Sequence, residues 1–341
     1  MVKCFTSITI NYIPKARVLA SSLKKYHPDW EFILIISDSP IDKENFVNDS
    51  FDRVIYLEEL GILGLNSWVF KHSVVEICTA VKGFVLDSLY KEVDTDFVIY
   101  FDPDVVIFNS LDDLINLLND FSFVITPHLL QPESNHGAIL DNEVSALKHG
   151  VYNLGFLAVG KQDQSLEFVE WWKNRLMNYC YADIPNGLFT DQRWMDLAPA
   201  FFDKHYILRD PGYNVASWNL SQREITLNQE GDLLVNGYPL RFYHFTGYDS
   251  GAGKVMTDIY GNNNTLIKEI WDYYENELEL NGQRRYGVIK WKFDFFNNGK
   301  QITKEMRKLY RERSDLQKHF PNPFNTGDDT DGGFYRWYSN V

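Results

Sequence analysis

The sequence is short of cysteine, of positive charge and of long hydrophobic runs. Three cysteines in 341 residues, Cys4, Cys78 and Cys180, are too few and too widely spaced for a disulfide framework or a thiolate metal site, and they point to reduced thiols in a reducing compartment. Lys and Arg number 33 against 47 Asp and Glu, a net charge near −14, which argues against a nucleic-acid footprint and predicts no nucleic-acid partner. No apolar run approaches the length needed to span a bilayer, and Met1 to Phe5 reads as the start of a strand instead of a signal peptide. A cytoplasmic protein is expected. No internal repeat is present. What the chain does have is 45% hydrophobic and 16% aromatic residues, ample for one large core.

The most chemically pointed stretch is Phe97 to Phe108: five apolar residues, then Asp102-Pro103-Asp104, then four more apolar residues. It reads as a buried strand that presents two carboxylates at its carboxyl edge. Carboxylates at i and i+2 of an extended chain share a face, and in apolar surroundings their repulsion calls for a cation or a strong hydrogen-bond network. Mg²⁺ or Mn²⁺ answers this economically, because such ions take oxygen ligands and borrow the rest of their shell from substrate phosphates. A solvated Asp-Pro turn is the ordinary alternative, but it needs no buried strand leading into it.

Around this stretch the chain alternates strand and helix. Phe5–Ile10, Phe32–Asp38 and Arg53–Leu57 read as strands, with a helix over Lys15–Tyr26, which favours a parallel sheet covered by helices. One helix is expected from Trp68 to Lys91, with Val74, Val75, Cys78, Val81, Val85 and Leu89 as its apolar side. Lys82 falls within that side, either snorkelling to solvent or aimed at a phosphate. Further strands are expected at Phe123–His128 and at Tyr152–Gly160, the latter carrying the lone amide Asn153, and Gln131–Gly150 reads as a polar, irregular loop beside the site. Thr190 is placed to cap a helix beginning at Asp191-Gln192. His244, at the end of a strand and before the Gly247 turn, is placed as a nitrogen ligand to the same metal. From about Trp271 the chain turns helical and basic. There Ile302, Met306, Leu309 and Leu316 form a stripe that packs on the domain, and the alternative use of that basic face is contact with an anionic membrane or lipid-linked acceptor. Pro321 to Val341 reads as an extended wrap or a loose tail.

Asn11-Tyr12 after the first strand, Lys82, Asp102-Pro103-Asp104, Asn153 in Asn-x-Gly, Asp191-Gln192 and His244-Phe245-Thr246-Gly247, in that order, resemble the retaining glycosyltransferases of family 8. The resemblance covers roughly residues 5 to 250. It implies a GT-A type (Rossmann-like) α/β fold with a mixed, mainly parallel sheet, a catalytic domain over 1–265 and a helical extension over 266–341. It also implies Mn²⁺ (or Mg²⁺) held by Asp102, Asp104 and His244, a nucleotide-sugar donor of the UDP type, and a glycan or lipid-linked acceptor. Tyr12 would stack on the base and Asn11 contact it, whereas Thr9 stands where the family has an acid. Lys82, Asn153, Asp191 and Gln192 would hold the donor sugar and its phosphate, with Asp191 and Gln192 at the reacting carbon. Gly247 matches the family's glycine. The Lys-Pro-Trp that normally follows is replaced by a longer loop, from which Lys254 would reach the phosphate.

Two other readings remain open at this stage. Asp102-Pro103-Asp104-Val105-Val106 also fits the nucleophile strand of haloacid dehalogenase-type phosphatases, with Asp102 attacking and the acidic run Gly327 to Asp331 as the distal motif. A non-catalytic module that binds sugar or a partner is the third.

Overall fold

Along the early strands, successive side chains face opposite sides and both sides are apolar, so the sheet they form must be covered twice. The computed structural model describes residues 1–39, 50–327 and 333–340. The strands that matter are β1 (Val2–Ile8), β2 (Glu31–Ile36), β3 (Arg53–Tyr56), β4 (Phe97–Phe101), β5 (Val105–Ile107), β6 (Phe123–Pro127), β7 (Tyr152–Gly160), β8 (His205–Ile207), β9 (Val215–Ala216) and β10 (Phe242–His244). The helices that matter are α1 (Ile13–Tyr26), α2 (Leu65–Phe70), α3 (Val74–Lys91), α4 (Asp112–Leu118), α5 (Ser165–Tyr179), α6 (Gln192–Met195), α7 (Ala252–Tyr260), α8 (Thr265–Leu280) and α9 (Lys304–Glu312).

Seven strands form the main sheet in the order β8-β6-β7-β4-β1-β2-β3. All run parallel except β7, which is antiparallel to both β4 and β6. This is the mixed, mainly parallel α/β sheet that the sequence predicts. Cys4, Phe32 and Ile99 sit side by side on one face and pack with Ala16, Leu19 and Leu23 of α1. Phe5, Ile33 and Val98 turn to the other face, under Ile77, Val81 and Val85 of α3 and Phe168 and Trp172 of α5. α3 and α5 meet at Gly83, where an added Cβ would lie 2.8 Å from the Lys173 Cα. A second, three-stranded sheet of β9, β10 and β5 closes over the carboxyl edge of the first. Its register sets His244 opposite both Val105 and Ala216.

Several sequence expectations are corrected. The Phe97–Phe108 stretch is not one strand, because β4 stops at Phe101, a turn carries Asp102 to Asp104, and β5 enters the second sheet. The helix expected over Trp68–Lys91 is two helices. α3 starts behind Ser73, whose hydroxyl accepts from the Glu76 N–H while the Glu76 carboxylate accepts from the Ser73 N–H at 2.7 Å, a reciprocal cap that resets the helix axis. Val75, assigned to the apolar side, is 63% exposed as a result. Gln131–Gly150 is not irregular: Asn135 caps a helix at His136–Ala138 that widens into a π turn and continues through Val144–His149. The final stretch is not wholly loose either, since Gly333–Ser339 is helical and Phe334 joins Phe70, Ile302, Met306, Tyr310 and Leu316 in one cluster. That cluster is the packing expected of the basic helix, with Leu309 at its margin. Residues 328–331 of the acidic run lie outside the described residues.

At the end of β2 the Asp38 carboxylate is buried and accepts from the backbone N–H groups of Ser39 and Lys292. Burial dominates and pushes its pKa from 3.8 up to about 6, although those N–H donors pull the other way. A folded-state pKa above the unfolded one means that the native state binds the proton more tightly. The associated stability is complete below pH 4 and is lost as pH rises through 6. Asp38→Asn, which keeps an oxygen for the donors, is therefore expected to stabilise the fold by about 1–3 kcal/mol at pH 8 and to change little at pH 4. Thermal melts at the two pH values check this; an equal shift at both would remove Asp38 as the cause.

Candidate active site

Because β7 runs against its neighbours, its first residues, Asn153 to Gly155, lie at the same edge as the last residues of β4. Asp102 N donates to the Gly155 carbonyl at 2.8 Å, which ties the two strand ends together. From the second sheet, β10 delivers His244 to the same place. The His244 Nε2 atom lies 3.2 Å from Asp104 Oδ1 and 3.7 Å from Asp102 Oδ2, and ligand atoms of the three residues fall within 4.8 Å of one another. Burial opposes ionisation of Asp104, but the His244 charge and then Lys15 outweigh it and hold the carboxyl down at about 2.

The ring of His244 is set by a residue that the sequence reading missed. Asn214, buried and left-handed at φ 53°, accepts from His244 Nδ1 at 3.2 Å and donates to Asn153 Oδ1 at 3.0 Å and Thr126 Oγ1 at 2.9 Å. With Nδ1 so engaged, Nε2 is the nitrogen left to face the carboxylates. Gly155 leaves room for that ring: a Cβ there would sit 2.3 Å from His244 Cε1 and 2.8 Å from Asn153 Oδ1. Gly155→Ala is therefore expected to displace the imidazole and weaken Mn²⁺ binding by about 10- to 100-fold, as loss of an orienting contact does. A calorimetric Mn²⁺ titration with unchanged affinity would refute the assignment.

Lys82 is only 4% exposed, so it does not snorkel. Its Nζ reaches Asp191 Oδ2 at 3.0 Å, the Leu154 carbonyl at 3.1 Å and Asp102 Oδ1 at 3.3 Å, and it lies 4.1 Å from the centre of the Tyr100 ring. The Tyr100 hydroxyl donates to the same Asp102 oxygen at 2.5 Å. Burial works against the lysine charge, but Asp102 and Asp191 outweigh it and raise the pKa. Asp191, itself buried, has its pKa raised by burial although Lys82 opposes this. Thr190 does not cap the following helix as expected. Asp191 takes the N-cap position, while Thr190, a buried β-branched residue, is held at φ 44°, a strained conformation beside the carboxylate. Gln192 is fully engaged, its Oε1 accepting from Leu154 N–H at 3.2 Å and its Nε2 donating to the His149 carbonyl at 3.1 Å.

Thr9, Asn11, Tyr12, Lys82, Asp102, Asp104, Asn153, Asp191, Gln192 and His244 all line one hollow of about 480 Å³. Thr9 Oγ1 donates to Asn11 Oδ1 at 2.6 Å. Gly247, at φ 73°, forms the turn beyond it. Lys254 is not brought there: it is exposed on α7 and lines the neighbouring hollow of about 840 Å³. The cation that does approach is Lys15, unremarked in the sequence. It is buried, 2.6 Å from Asp249 and 3.9 Å from the centre of the Tyr12 ring, and the Tyr12 hydroxyl donates to the same Asp249 carboxylate. His128 does not line the hollow; it accepts from Asn153 Nδ2 at 3.2 Å and packs edge-on to Trp218.

No protein-family model matches the chain. In Bacillus subtilis (strain 168), the uncharacterized protein YfnF is 27% identical over 214 residues, covering 60% of this chain and 67% of that protein. The uncharacterized protein YfnD of the same organism is 24% identical over 247 residues, covering 71% and 76%. Among solved structures, the galactosyltransferase LgtC in complex with donor and acceptor sugar analogues is similar at 16% identity and a TM-score of 0.44, over 77% of this chain and 96% of that one. A glycosyltransferase involved in glycosylation of the major capsid of PBCV-1 is similar at 11% identity and a TM-score of 0.42, over 75% and 98%. These likenesses are distant.

Proposed function

We propose that this chain is a metal-dependent glycosyltransferase of GT-A type that moves a sugar, with retention, from a nucleotide diphosphate sugar, UDP-linked by preference, to an acceptor hydroxyl of a glycan, lipid-linked glycan or protein. The observation that carries this reading is the meeting of Asp102, Asp104 and the oriented Nε2 of His244 at one end of a hollow that also holds Lys82 and Asp191. Two carboxylate oxygens and one imidazole nitrogen suit Mn²⁺ or Mg²⁺, which leave several positions for phosphate oxygens. Bound there, the ion would supply Lewis-acid stabilisation of charge on the departing diphosphate.

The protein's own groups divide the remaining work. Lys82 holds a permanent positive charge beside Asp102, where the diphosphate oxygens would gather. Asn11, whose amide oxygen accepts from Thr9, has no hydrogen bond from its NH₂ group among the described residues, and that group would donate to a base carbonyl, which uracil and guanine both offer. Tyr12 has one ring face covered by Lys15, so a base would stack on the other. Gln192 is an amide with both ends engaged, and amides are poor nucleophiles. Asp191 is tied to Lys82 and is 3% exposed. Neither is free to attack the anomeric carbon, which favours entry of the acceptor on the face that the diphosphate leaves, through a transition state with oxocarbenium character. Residues 1–265 would form the catalytic unit and 266–341 an extension packed on it. No described helix is long and apolar enough to cross a membrane; a cytoplasmic setting is proposed, with exposed Lys304, Lys308 and Lys318 towards an acceptor-bearing membrane.

Calorimetry of the chelated protein with UDP and with GDP, each with and without Mn²⁺, followed by hydrolysis of a panel of UDP-sugars, tests the reading. Mn²⁺-dependent UDP binding and slow donor hydrolysis are expected. Absence of nucleotide binding under every condition would sink it.

A further inference from the structure

Arg223 takes no part in that chemistry, yet it is only 4% exposed. It lies shortly after Ser217–Asn219, the turn whose Trp218 ring sits 5.3 Å from the ring of His244. Its one side-chain hydrogen bond among the described residues runs from Nη1 to the Tyr213 carbonyl at 2.7 Å, and its Nε is buried with no partner. None of the ion pairs among the described residues includes it. Burial pulls its pKa down to about 9, with only the more distant Asp210 opposing. A guanidinium remains charged under ordinary conditions, and a buried charge without a counter-ion is costly.

The hollow that Arg223 lines, of about 650 Å³, also receives the first turn of α8, through Asn264 and Ile267. α8 is 16 residues long, and its amino end carries the positive pole of the helix dipole, with the Leu266 N–H already capped by Asn264 Oδ1 at 3.0 Å. Asn262, left-handed at φ 51°, adds an amide to the same wall. The only carboxylate among the lining residues is Glu224, which is exposed. Two independent sources of positive potential, a guanidinium with no ion-pair partner and a helix amino end, thus converge on one cavity.

We propose that this cavity is a subsite for an oxyanion, a carboxylate or phosphate group, carried by an acidic acceptor glycan; the assignment to the acceptor rests on the transferase reading above. The cavity shares Gly261, Asn264 and Ile267 with the larger hollow, where Tyr248 and Trp271 stack at 6.4 Å between ring centres. Aromatic faces of this kind carry sugar rings. That larger hollow is also lined by Asp249, Asp258, Asp272 and Glu275, so sugars lying on its wall would be neutral ones, with the acidic substituent confined to the Arg223 end.

The test uses the whole, chelated chain with neither nucleotide nor metal present. Thermal melts and calorimetry are run against inorganic phosphate, D-glucuronate and, as the neutral control, D-glucose. Phosphate and glucuronate are expected to raise the melting temperature and to compete with each other, and glucose to do neither. Arg223→Gln is expected to lose the response. Because that variant removes a buried group and its fold is at risk, Asn262→Asp provides the second arm. It keeps a residue that tolerates the left-handed turn, places a carboxylate in the cavity, and is expected to melt above the wild type while losing about tenfold or more of its anion affinity, the effect of an opposed charge worth about 1.4 kcal/mol. No response to either anion, or a response unchanged in Asn262→Asp, overturns the subsite. With a donor supplied, about a tenfold preference for an acidic over a neutral acceptor in kcat/KM assigns the anion to the acceptor, whereas phosphate binding without that preference assigns it to free phosphate and overturns the acceptor assignment. The binding arm stands whether or not the chain transfers sugar.

Discussion

Asp104→Asn is expected to remove Mn²⁺-dependent nucleotide binding and to lower kcat/KM for donor hydrolysis by more than about 10²-fold, the scale on which a lost electrostatic stabiliser of a leaving group acts. The asparagine retains the shape of the side chain and an oxygen that can still accept from its neighbours, so the fold should persist. What it loses is the negative charge that balances a divalent ion. His244→Ala should match it in binding. Because Asp104 is held at about 2 by His244 and Lys15, its carboxyl is ionised throughout the neutral range, and since the asparagine has no carboxyl to ionise, the defect should not be relieved by raising the pH from 6 to 8. Calorimetry with UDP and Mn²⁺ at both pH values decides the matter. A variant that binds UDP as the wild type does, still in a metal-dependent way, would exclude Asp104 as a ligand.

Lys82→Met is expected to damage stability and activity together, and the two losses can be separated. Removing the ammonium leaves Asp191 buried and facing Asp102 with no cation between them. Breaking a buried ion pair from one side costs about 3–5 kcal/mol, or about 4–7 °C in melting temperature for a chain of this size. The double variant Lys82→Met/Asp191→Asn removes the stranded charge and should regain most of that stability. Donor hydrolysis should stay lost in both, since the positive charge beside the diphosphate is missing in each. If Lys82→Met melts with the wild type, the lysine is not the counter-ion that its distances of 3.0 and 3.3 Å describe.

The strands and the order of the candidate ligands were readable in the chain because both depend on local pattern. Apolar runs such as Phe97–Phe101 and Tyr152–Gly160 fall where strands are found, and ten of the residues singled out for chemistry line one hollow. The residues that orient them were not readable. Asn214 sits in an unremarkable Pro-Gly-Tyr-Asn turn, and its partners Asn153 and Thr126 are 61 and 88 positions away. Lys15 meets Asp249 across 234 positions. Gly155 matters only because the His244 ring arrives from another sheet. The break in the long helix is legible locally: Ser73-x-x-Glu76 is a helix-start pattern, and it marks where α3 begins. Lys254 failed for a different reason. A loop of changed length cannot be threaded by residue type alone, and the rearranged turn leaves that lysine on the outer side of α7.

The reversed course of β7 and the late arrival of β10 also bear on how the chain is made. Six of the seven strands of the main sheet lie within residues 2–160, so most of the layered core can assemble while the remainder is still on the ribosome. His244 follows roughly 80 residues later, on the order of ten seconds at ordinary rates of synthesis. During that interval Asp102 and Asp104 stand at an open sheet edge, with no imidazole opposite them and no second sheet to close them in. If the site holds a divalent ion as proposed, the nascent chain would have only two of the three ligands in place, and the choice of metal would wait for the residue that completes the set.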